Sequence, residues 1–152
     1  MEYVSLVNDL ILLFALTFAL YRVGNIWTFQ VLLFPLWGIV RPEDFATYHR
    51  KHFHSIFEVI FVPMGLSALG VVLLCFFPPP GAPRWLLATA VALQAILFLS
   101  PFYWVPLQLK IEREGNRPEL IHQLVVTHWT RVANLTFYAA AVLWLAWIRL
   151  QF

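Results

Sequence analysis

The sequence predicts an all-α membrane protein, a bundle of four transmembrane helices with a short amphipathic helix between the first and second spans. Hydrophobic residues make up 61% of the 152 residues and charged residues only 12%, about half the charged fraction of a soluble domain. A water-soluble fold of this length would lack the polar surface to cover its apolar residues. Four apolar runs each exceed the roughly 20 residues that cross a bilayer, and we expect them to form a single domain, 1–152.

We place the four spans at about residues 4–36, 56–77, 85–107 and 120–150. The first run is longer than one crossing requires, so we expect a long helix whose end emerges near Pro35. Prolines and a glycine at 78–81 end the second run, and Pro101 and Pro106 should kink or end the third. Before the fourth run, Asn116-Arg117-Pro118-Glu119 resembles a helix start, with Asn116 as N-cap and a proline in the first turn.

A polar segment, 41–55, separates the first two spans. Pro42-Glu43-Asp44 is typical of a helix start. Aromatic and histidine side chains then recur at helical spacing: Phe45, Tyr48, His49 and His52. We predict a short amphipathic helix that lies at the membrane interface and runs into the second span.

Lysine and arginine in the loops predict the orientation. The loops after the first and third spans share one side of the membrane and carry six basic residues, against two on the other side, Arg84 and Arg149. The six are Arg41, Arg50, Lys51, Lys110, Arg113 and Arg117. We therefore expect a multi-pass integral membrane protein with both basic loops in the cytoplasm and both termini outside it. A secretory signal peptide is disfavoured because Glu2 and Asp9 stand where basic residues would precede the apolar run.

Composition also limits the function classes. A net charge of +2 is too weak to indicate a nucleic-acid partner, and we expect none. The single cysteine, Cys75, rules out a disulfide framework and is predicted to be a small buried hydrophobic residue. The serines stand beside no strained-turn motif, and the sequence contains no glycine-rich phosphate loop.

Polar side chains inside the spans are the strongest functional signal, because an ionisable group in the bilayer is costly. Arg22 and Asn25 share one face of the first helix, and His54 and Glu58 share one face at the start of the second. On the fourth helix the polar stripe consists of Thr127, Arg131, Asn134 and Tyr138, with His128 at its border. These groups lie in the cytoplasmic halves of their helices and can meet at one level.

Candidate roles follow from this spacing. The candidate catalytic residues are His54, Glu58, His128 and Arg131. The candidate substrate-binding residues are Arg22, Asn25, Trp27, Trp129 and Asn134. A purely structural alternative stays open, in which Glu58 pairs with Arg131 across the bundle. Asn25 and Asn134 then hydrogen-bond between helices, and His54 faces lipid headgroups.

Nitrogen and oxygen donors are numerous enough to hold one transition metal. The candidate ligands are His49, His52, His54, Glu58, His122 and His128. Arg50 and Lys51 lie within the same histidine-rich segment and disfavour a bound cation. The cofactor expected from the residues is therefore none or a single transition metal.

Four short segments carry a family resemblance. They are Gly24-Asn25 in the first span, Leu33-Phe34-Pro35 at its end, Val105-Pro106-Leu107 at the end of the third, and Trp129-Thr130-Arg131 in the fourth. Together they resemble the anthrone-oxygenase-like family of small four-span membrane proteins. Only Trp129 and Arg131 carry over residue by residue. Gln108 stands where the family usually has asparagine, and the histidines at 49, 52 and 54 exceed what the family leads us to expect.

The resemblance implies oxidation of a polyphenolic or quinol-like aromatic by dioxygen without an evident cofactor. A histidine would take a phenolic proton, and the arginine would stabilise the resulting anion. We therefore predict an oxygenase or quinol-type oxidoreductase that binds a hydrophobic aromatic or quinone-like molecule in a polar intramembrane pocket. The alternative is a non-enzymatic membrane subunit whose polar cluster binds lipid headgroups, a partner membrane protein or a second copy of the chain. Transport is a weaker third option, because four spans would have to oligomerise to form a path.

Overall fold

The computed structural model describes residues 2–151, except for the side chains of residues 2–5 and 57. This part of the chain contains helices and short turns and no β-strand. Within it, four helices are long and apolar enough to cross a membrane: Leu6–Ile39, Pro42–Phe76, Arg84–Glu114 and Pro118–Arg149. The predicted all-α bundle of four helices is confirmed, and the chain is a multi-pass membrane protein. We number these helices spans 1 to 4.

Span 1 is a long helix of changing geometry. It consists of α1 (Glu2–Thr28), a π-helical turn (Phe29–Leu33), the short α2 (Phe34–Leu36) and a 3₁₀ turn (Trp37–Ile39). Pro35 has no N–H, so the carbonyl of Val31 loses its α-helical partner. The π-helical turn lies where this loss interrupts the α-helical pattern, and the helix ends shortly after the proline, as predicted.

Span 2 begins with the predicted amphipathic helix, α3 (Pro42–Ile56), and continues through a second π-helical turn (Phe57–Phe61) into α4 (Val62–Phe76). Phe45 and His49 of α3 are buried, whereas Arg50 and Lys51 are exposed. The amphipathic segment therefore runs into the second span as one continuous helix that begins at Pro42, as predicted.

Span 3 is divided at Ser100 into α5 (Arg84–Leu99) and α6 (Pro101–Glu114). Pro101 cannot donate to the carbonyl of Leu97, and the Ser100 hydroxyl donates to that carbonyl instead, at 2.7 Å. Pro106 lies inside α6 without ending it. The span therefore continues to Glu114, beyond the predicted end at residue 107, because a single missing N–H interrupts only one hydrogen bond.

Span 4 is the single helix α7 (Pro118–Arg149), with Pro118 in its first turn as predicted. The N-cap position is Arg117, so the prediction that Asn116 caps this helix is wrong. The Asn116 amide instead donates to the carbonyls of Trp37 and Val40, at 3.3 and 3.2 Å. These bonds tie the loop before span 4 to the end of span 1.

Two apolar cores lie at different levels of the bundle. The core nearer the chain termini draws on all four spans and includes Ala15, Val71, Leu86 and Leu145. The core nearer the loops after spans 1 and 3 includes Phe34, Trp37, Phe45, Ile111 and Leu124. At the terminal end, Arg149 also pairs with Asp9 through two bonds of 2.6 and 3.0 Å, which joins spans 1 and 4.

The outer surface of the bundle is apolar, as a lipid-facing surface requires. Phe76 and Phe102, for example, expose 75% and 79% of their surface. Cys75, next to Phe76, is exposed as well. The prediction that this cysteine is buried is therefore wrong, because in a bilayer a small apolar side chain is equally well solvated on the outside.

Spans 1 and 2 approach each other closely at Gly70. A Cβ built on Gly70 would lie 3.0 Å from the Cα and 3.1 Å from the Cβ of Ala15. Small residues at a helix crossing let two backbones pack closely in a membrane, where no hydrophobic force drives helices together. Gly65 lies on the same helix, and a Cβ built there would meet no atom within 4 Å.

We expect Gly70→Val to lower the free energy of unfolding by about 1–3 kcal/mol, because the added methyl groups force the two helices apart. Thermal unfolding in detergent, followed by circular dichroism, measures this change. Gly65→Val is the matched control and should unfold within a few tenths of a kcal/mol of a neutral surface substitution. Equal losses in both variants would contradict the close-approach explanation.

Candidate functional site

A set of buried polar side chains lies within the apolar core nearer the chain termini, and each span contributes one residue to it. The Arg22 Nη1 group donates to Gln94 Oε1 at 2.9 Å. The Ser67 hydroxyl lies 3.5 Å from the same oxygen and 3.0 Å from the hydroxyl of Tyr138. All four residues are buried. We call this set, Arg22, Ser67, Gln94 and Tyr138, the polar layer.

Span 4 places His128 and Arg131 one helical turn apart, beside the polar layer. His128 Nδ1 lies 2.8 Å from Gln30 Oε1. The Gln30 amide nitrogen donates to the carbonyl of Val125 at 3.1 Å, which turns its oxygen toward the imidazole. The neutral imidazole therefore carries its proton on Nδ1. Its Nε2 is a proton acceptor with no hydrogen-bond partner among the described side chains.

Arg131 is held by an aromatic ring rather than by an anion. Its guanidinium carbon lies 5.2 Å from the centre of the Trp104 ring, the arrangement of a cation–π contact. Its Nε is buried without a hydrogen-bond partner. Among the ion pairs of the described residues, neither Arg131 nor Arg22 takes part. Two arginines thus lie in the membrane interior with no carboxylate beside them.

Both arginines line one small cavity, which we call the inner cavity, of about 30 Å³. Its other lining residues include Asn25, Phe29, Val59 and His128. A second cavity of about 50 Å³, the aromatic cavity, also contains His128 and Arg131 in its lining. Its further lining residues include Phe29, Phe34, Phe53, Trp104 and Gln108. Four residues line both cavities, namely Phe29, Ile60, His128 and Arg131, so the two cavities share one imidazole and one guanidinium.

The two π-helical turns shape these cavities. Phe29 is the first residue of the first turn, and Val59 and Ile60 belong to the second. Pro63 cannot donate to the carbonyl of Val59, its usual α-helical acceptor. Asn25 Nδ2 donates to that carbonyl at 3.1 Å instead. Wide turns of this kind are frequent at functional sites because they re-aim side chains and release backbone carbonyls.

Some of the predicted site residues lie away from the cavities. His54, Glu58 and His122 are exposed, and none of the three lines the inner or the aromatic cavity. Glu58 makes no ion pair with Arg131 in the described structure. The predicted meeting of polar groups at one level therefore includes Arg22, Asn25, His128 and Arg131 but leaves out His54 and Glu58.

The two tryptophans predicted to bind substrate face outward. Trp27 and Trp129 expose 41% and 45% of their surface. Their rings meet edge to face at 5.6 Å, and Trp27 Nε1 donates to the hydroxyl of Thr136 at 3.1 Å. Asn134 donates to the carbonyl of Leu93 at 3.0 Å and so links spans 4 and 3. The two tryptophans therefore lie on the outside of the bundle, and Asn134 contributes to the packing of span 4 on span 3.

The candidate metal ligands do not come together. Within the described residues, no group of three or more His, Cys, Asp or Glu side chains is placed to hold a metal ion. His49 Nε2 lies 2.7 Å from Gln108 Oε1, whereas His128 bonds to Gln30. His52 stacks at 6.2 Å on Tyr48. Of the six predicted donors, His49, His52, His54, Glu58, His122 and His128, the first two both pack on Trp37, but no three of the six are placed to hold one metal ion.

Several residues of the site were not assigned a role from sequence. Gln94 and Ser67 complete the polar layer, Gln30 fixes the tautomer of His128, and Trp104 supports Arg131. Gln94 carried a usable signal, since it is the only amide in the third apolar run. Ser67 and Trp104 gave no such signal in the sequence. A serine hydroxyl within a helix can bond to a backbone carbonyl of its own helix, and tryptophans are common at membrane interfaces.

Comparison of the chain with protein-family models, curated proteins and solved structures found no match. The resemblance to the anthrone-oxygenase-like family therefore stays an expectation from short motifs.

We expect Gln94→Leu to destabilise the protein by about 2 kcal/mol, because it leaves the Arg22 charge buried without its acceptor. Unfolding in detergent measures the change. Gln94→Glu, which keeps an acceptor oxygen, should retain stability, and Arg22→Leu combined with Gln94→Leu should recover most of the loss. Gln94→Leu as stable as the parent protein would show that the polar layer does not hold the spans together.

Proposed function

We propose that this chain binds the oxygen-bearing head of a lipid-soluble aromatic or quinone-like molecule and acts on it as an oxidoreductase. The observation that carries the proposal is an excess of hydrogen-bond donors and positive charge next to a proton acceptor. Arg22 and Arg131 have no carboxylate partner, and His128 Nε2 stands free beside them. An anionic oxygen placed between them would satisfy both arginines.

Aromatic side chains around these charges favour a ring-bearing ligand. Phe29, Phe34 and Trp104 line the aromatic cavity, and the Trp104 N–H is buried without an acceptor. Ring faces pack well on a planar head, while the unpaired N–H favours an oxygen in the same place. The two cavities together hold only a few atoms, so they suit the oxygen-bearing edge of a ring rather than a whole molecule.

The proposed chemistry begins with a proton transfer. His128 Nε2 takes the proton of a phenolic hydroxyl, and Gln30 holds the imidazole in the required tautomer. Arg131 and Arg22 stabilise the phenolate that results. Dioxygen accepts two electrons and the two protons of the hydroquinone, so that the products are a quinone and hydrogen peroxide. The residues of this chain supply the deprotonation, and no side-chain electron donor is required.

Orientation is part of the same proposal. The basic loops after spans 1 and 3 support their placement in the cytoplasm, with both termini on the other side. In that orientation the aromatic cavity lies toward the cytoplasmic leaflet, on the side of α3.

A second candidate function is favoured by the exposed ring pair of Trp27 and Trp129. Two large aromatic side chains on the outer face of spans 1 and 4 suit contact with a partner membrane helix, a second copy of the chain or lipid. A non-enzymatic subunit would use this face. A stoichiometric protein partner that copurifies in mild detergent, and is lost after Trp129→Ala, would favour it over the enzyme.

We expect the protein to bind 2-hydroxy-1,4-naphthoquinone, which is an anion at neutral pH, more tightly than its neutral 2-methoxy analogue. Arg131→Gln should weaken binding of the anion by about 10-fold or more, since a charge-assisted hydrogen bond is lost, and should leave the neutral analogue unaffected. Equilibrium dialysis of protein in lipid nanodiscs, with empty nanodiscs as the blank, measures both.

Arg84→Gln is the matched control for this binding experiment, because Arg84 is exposed at the start of span 3. It should bind both compounds like the parent protein. Equal affinity of the parent protein for the anion and the methoxy analogue would contradict an anion-selective head site.

We expect His128→Gln to lower protein-dependent oxygen consumption with 1,4-dihydroxynaphthalene by about 100-fold, the usual contribution of a general base. Binding of 2-hydroxy-1,4-naphthoquinone should change little. His122→Gln and His54→Gln are matched controls on exposed histidines and should keep the full rate. A rate that follows His54 rather than His128 would move the proton acceptor to the site suggested by sequence spacing.

A further inference from the structure

A groove between spans 3 and 4 leads from the lipid-facing surface to Arg131. Its volume is about 400 Å³, roughly ten times that of either inner cavity. Leu99, Tyr103 and Thr130 are exposed along it, and Arg131 and Trp104 lie in its lining. The same two residues line the aromatic cavity. The Trp104–Arg131 contact is thus a shared wall between the groove and the cavity.

The polar side chains of the groove are already satisfied by backbone carbonyls. Ser100 donates to Leu97, Thr130 to Thr127 and Asn134 to Leu93, at 2.7, 2.7 and 3.0 Å. Thr127 donates to Gln123 at 2.7 Å in the same way. The walls therefore offer hydrocarbon and aromatic surface, and two buried groups without a hydrogen-bond partner, Arg131 Nε and Trp104 Nε1, belong to residues at the inner end.

The break in span 3 makes room for this groove. Span 3 changes from α5 to α6 at Ser100, and α6 packs less extensively on α7 than α5 does. The groove lies at this point, with residues of both α5 and α6 along one side and α7 along the other. A proline in the middle of a span is a common cause of such a divergence.

We propose that this groove holds the hydrocarbon tail of the ligand, so that the ligand is a single-chain amphiphile that enters sideways from the bilayer. The inference rests on the proposed head site at Arg131. The tail lies along Leu99, Tyr103 and Thr130, and the head passes the Trp104–Arg131 contact to reach His128. Charge complementarity selects the head, and the shape of the groove admits one chain.

Substitution of Thr130 tests the tail site. Thr130→Trp fills the groove and should weaken binding of 3-decyl-2-hydroxy-1,4-naphthoquinone by about 10-fold or more, a steric loss. It should leave binding of the unsubstituted 2-hydroxy-1,4-naphthoquinone within about twofold. Ala140→Trp adds the same side chain to an exposed position of span 4 outside the groove, and should bind both compounds like the parent protein.

A second measurement does not depend on the folding of a variant. A decyl chain carrying a diazirine should, after illumination, label Tyr103 or Thr130 of the parent protein, and excess 2-hydroxy-1,4-naphthoquinone should suppress the label. Two outcomes would overturn the tail site in the groove and leave the head site standing. One is that Thr130→Trp binds the decyl compound as the parent protein does, while the unsubstituted compound binds tightly. The other is labelling that the unsubstituted compound does not suppress. Failure of the parent protein to bind either compound would overturn both.

Discussion

Arg22, one of two arginines in the interior of the bilayer, sets the constraint on which the rest of the bundle depends. A guanidinium there is expensive unless its donors are used, and Gln94 on span 3 is the acceptor that the described structure provides. Gln94 in turn meets Ser67 on span 2, which meets Tyr138 on span 4. One charge is therefore linked to all four spans through side-chain hydrogen bonds, within the core nearer the chain termini.

The polar layer gives the Arg22 guanidinium an acceptor without neutralising its charge, and this links the stability of the bundle to the proposed function. Arg131, the second arginine at this level, is stabilised by the face of Trp104 and not by an anion. Two like charges lining one cavity repel each other, so the bundle keeps a positive site that an anionic oxygen would stabilise.

Irregular backbone gives this site its shape. The π-helical turns at Phe29–Leu33 and Phe57–Phe61 place Phe29 and Ile60 in the lining of both cavities, and the break at Ser100 lies beside the groove between spans 3 and 4. Each irregularity lies next to a proline, at Pro35, Pro63 and Pro101, where a backbone N–H is missing. Within a membrane such breaks are tolerated only where side chains satisfy the freed carbonyls, as Asn25 does for Val59 and Ser100 does for Leu97.

The sequence by itself determined the membrane environment, the number of spans and the amphipathic helix, because run length and helical spacing are properties of local sequence. It also identified Arg22, Asn25, His128 and Arg131 as candidates, since a polar side chain in an apolar run is visible without a structure. Only the tertiary structure decided that these four meet while His54 and Glu58 stay outside, and that Gln94, Ser67 and Trp104 complete the site. The physical reason is that membrane spans are apolar on every side, so hydrophobic periodicity does not reveal which face turns inward. The rotation of each helix is set by its packing against the other three.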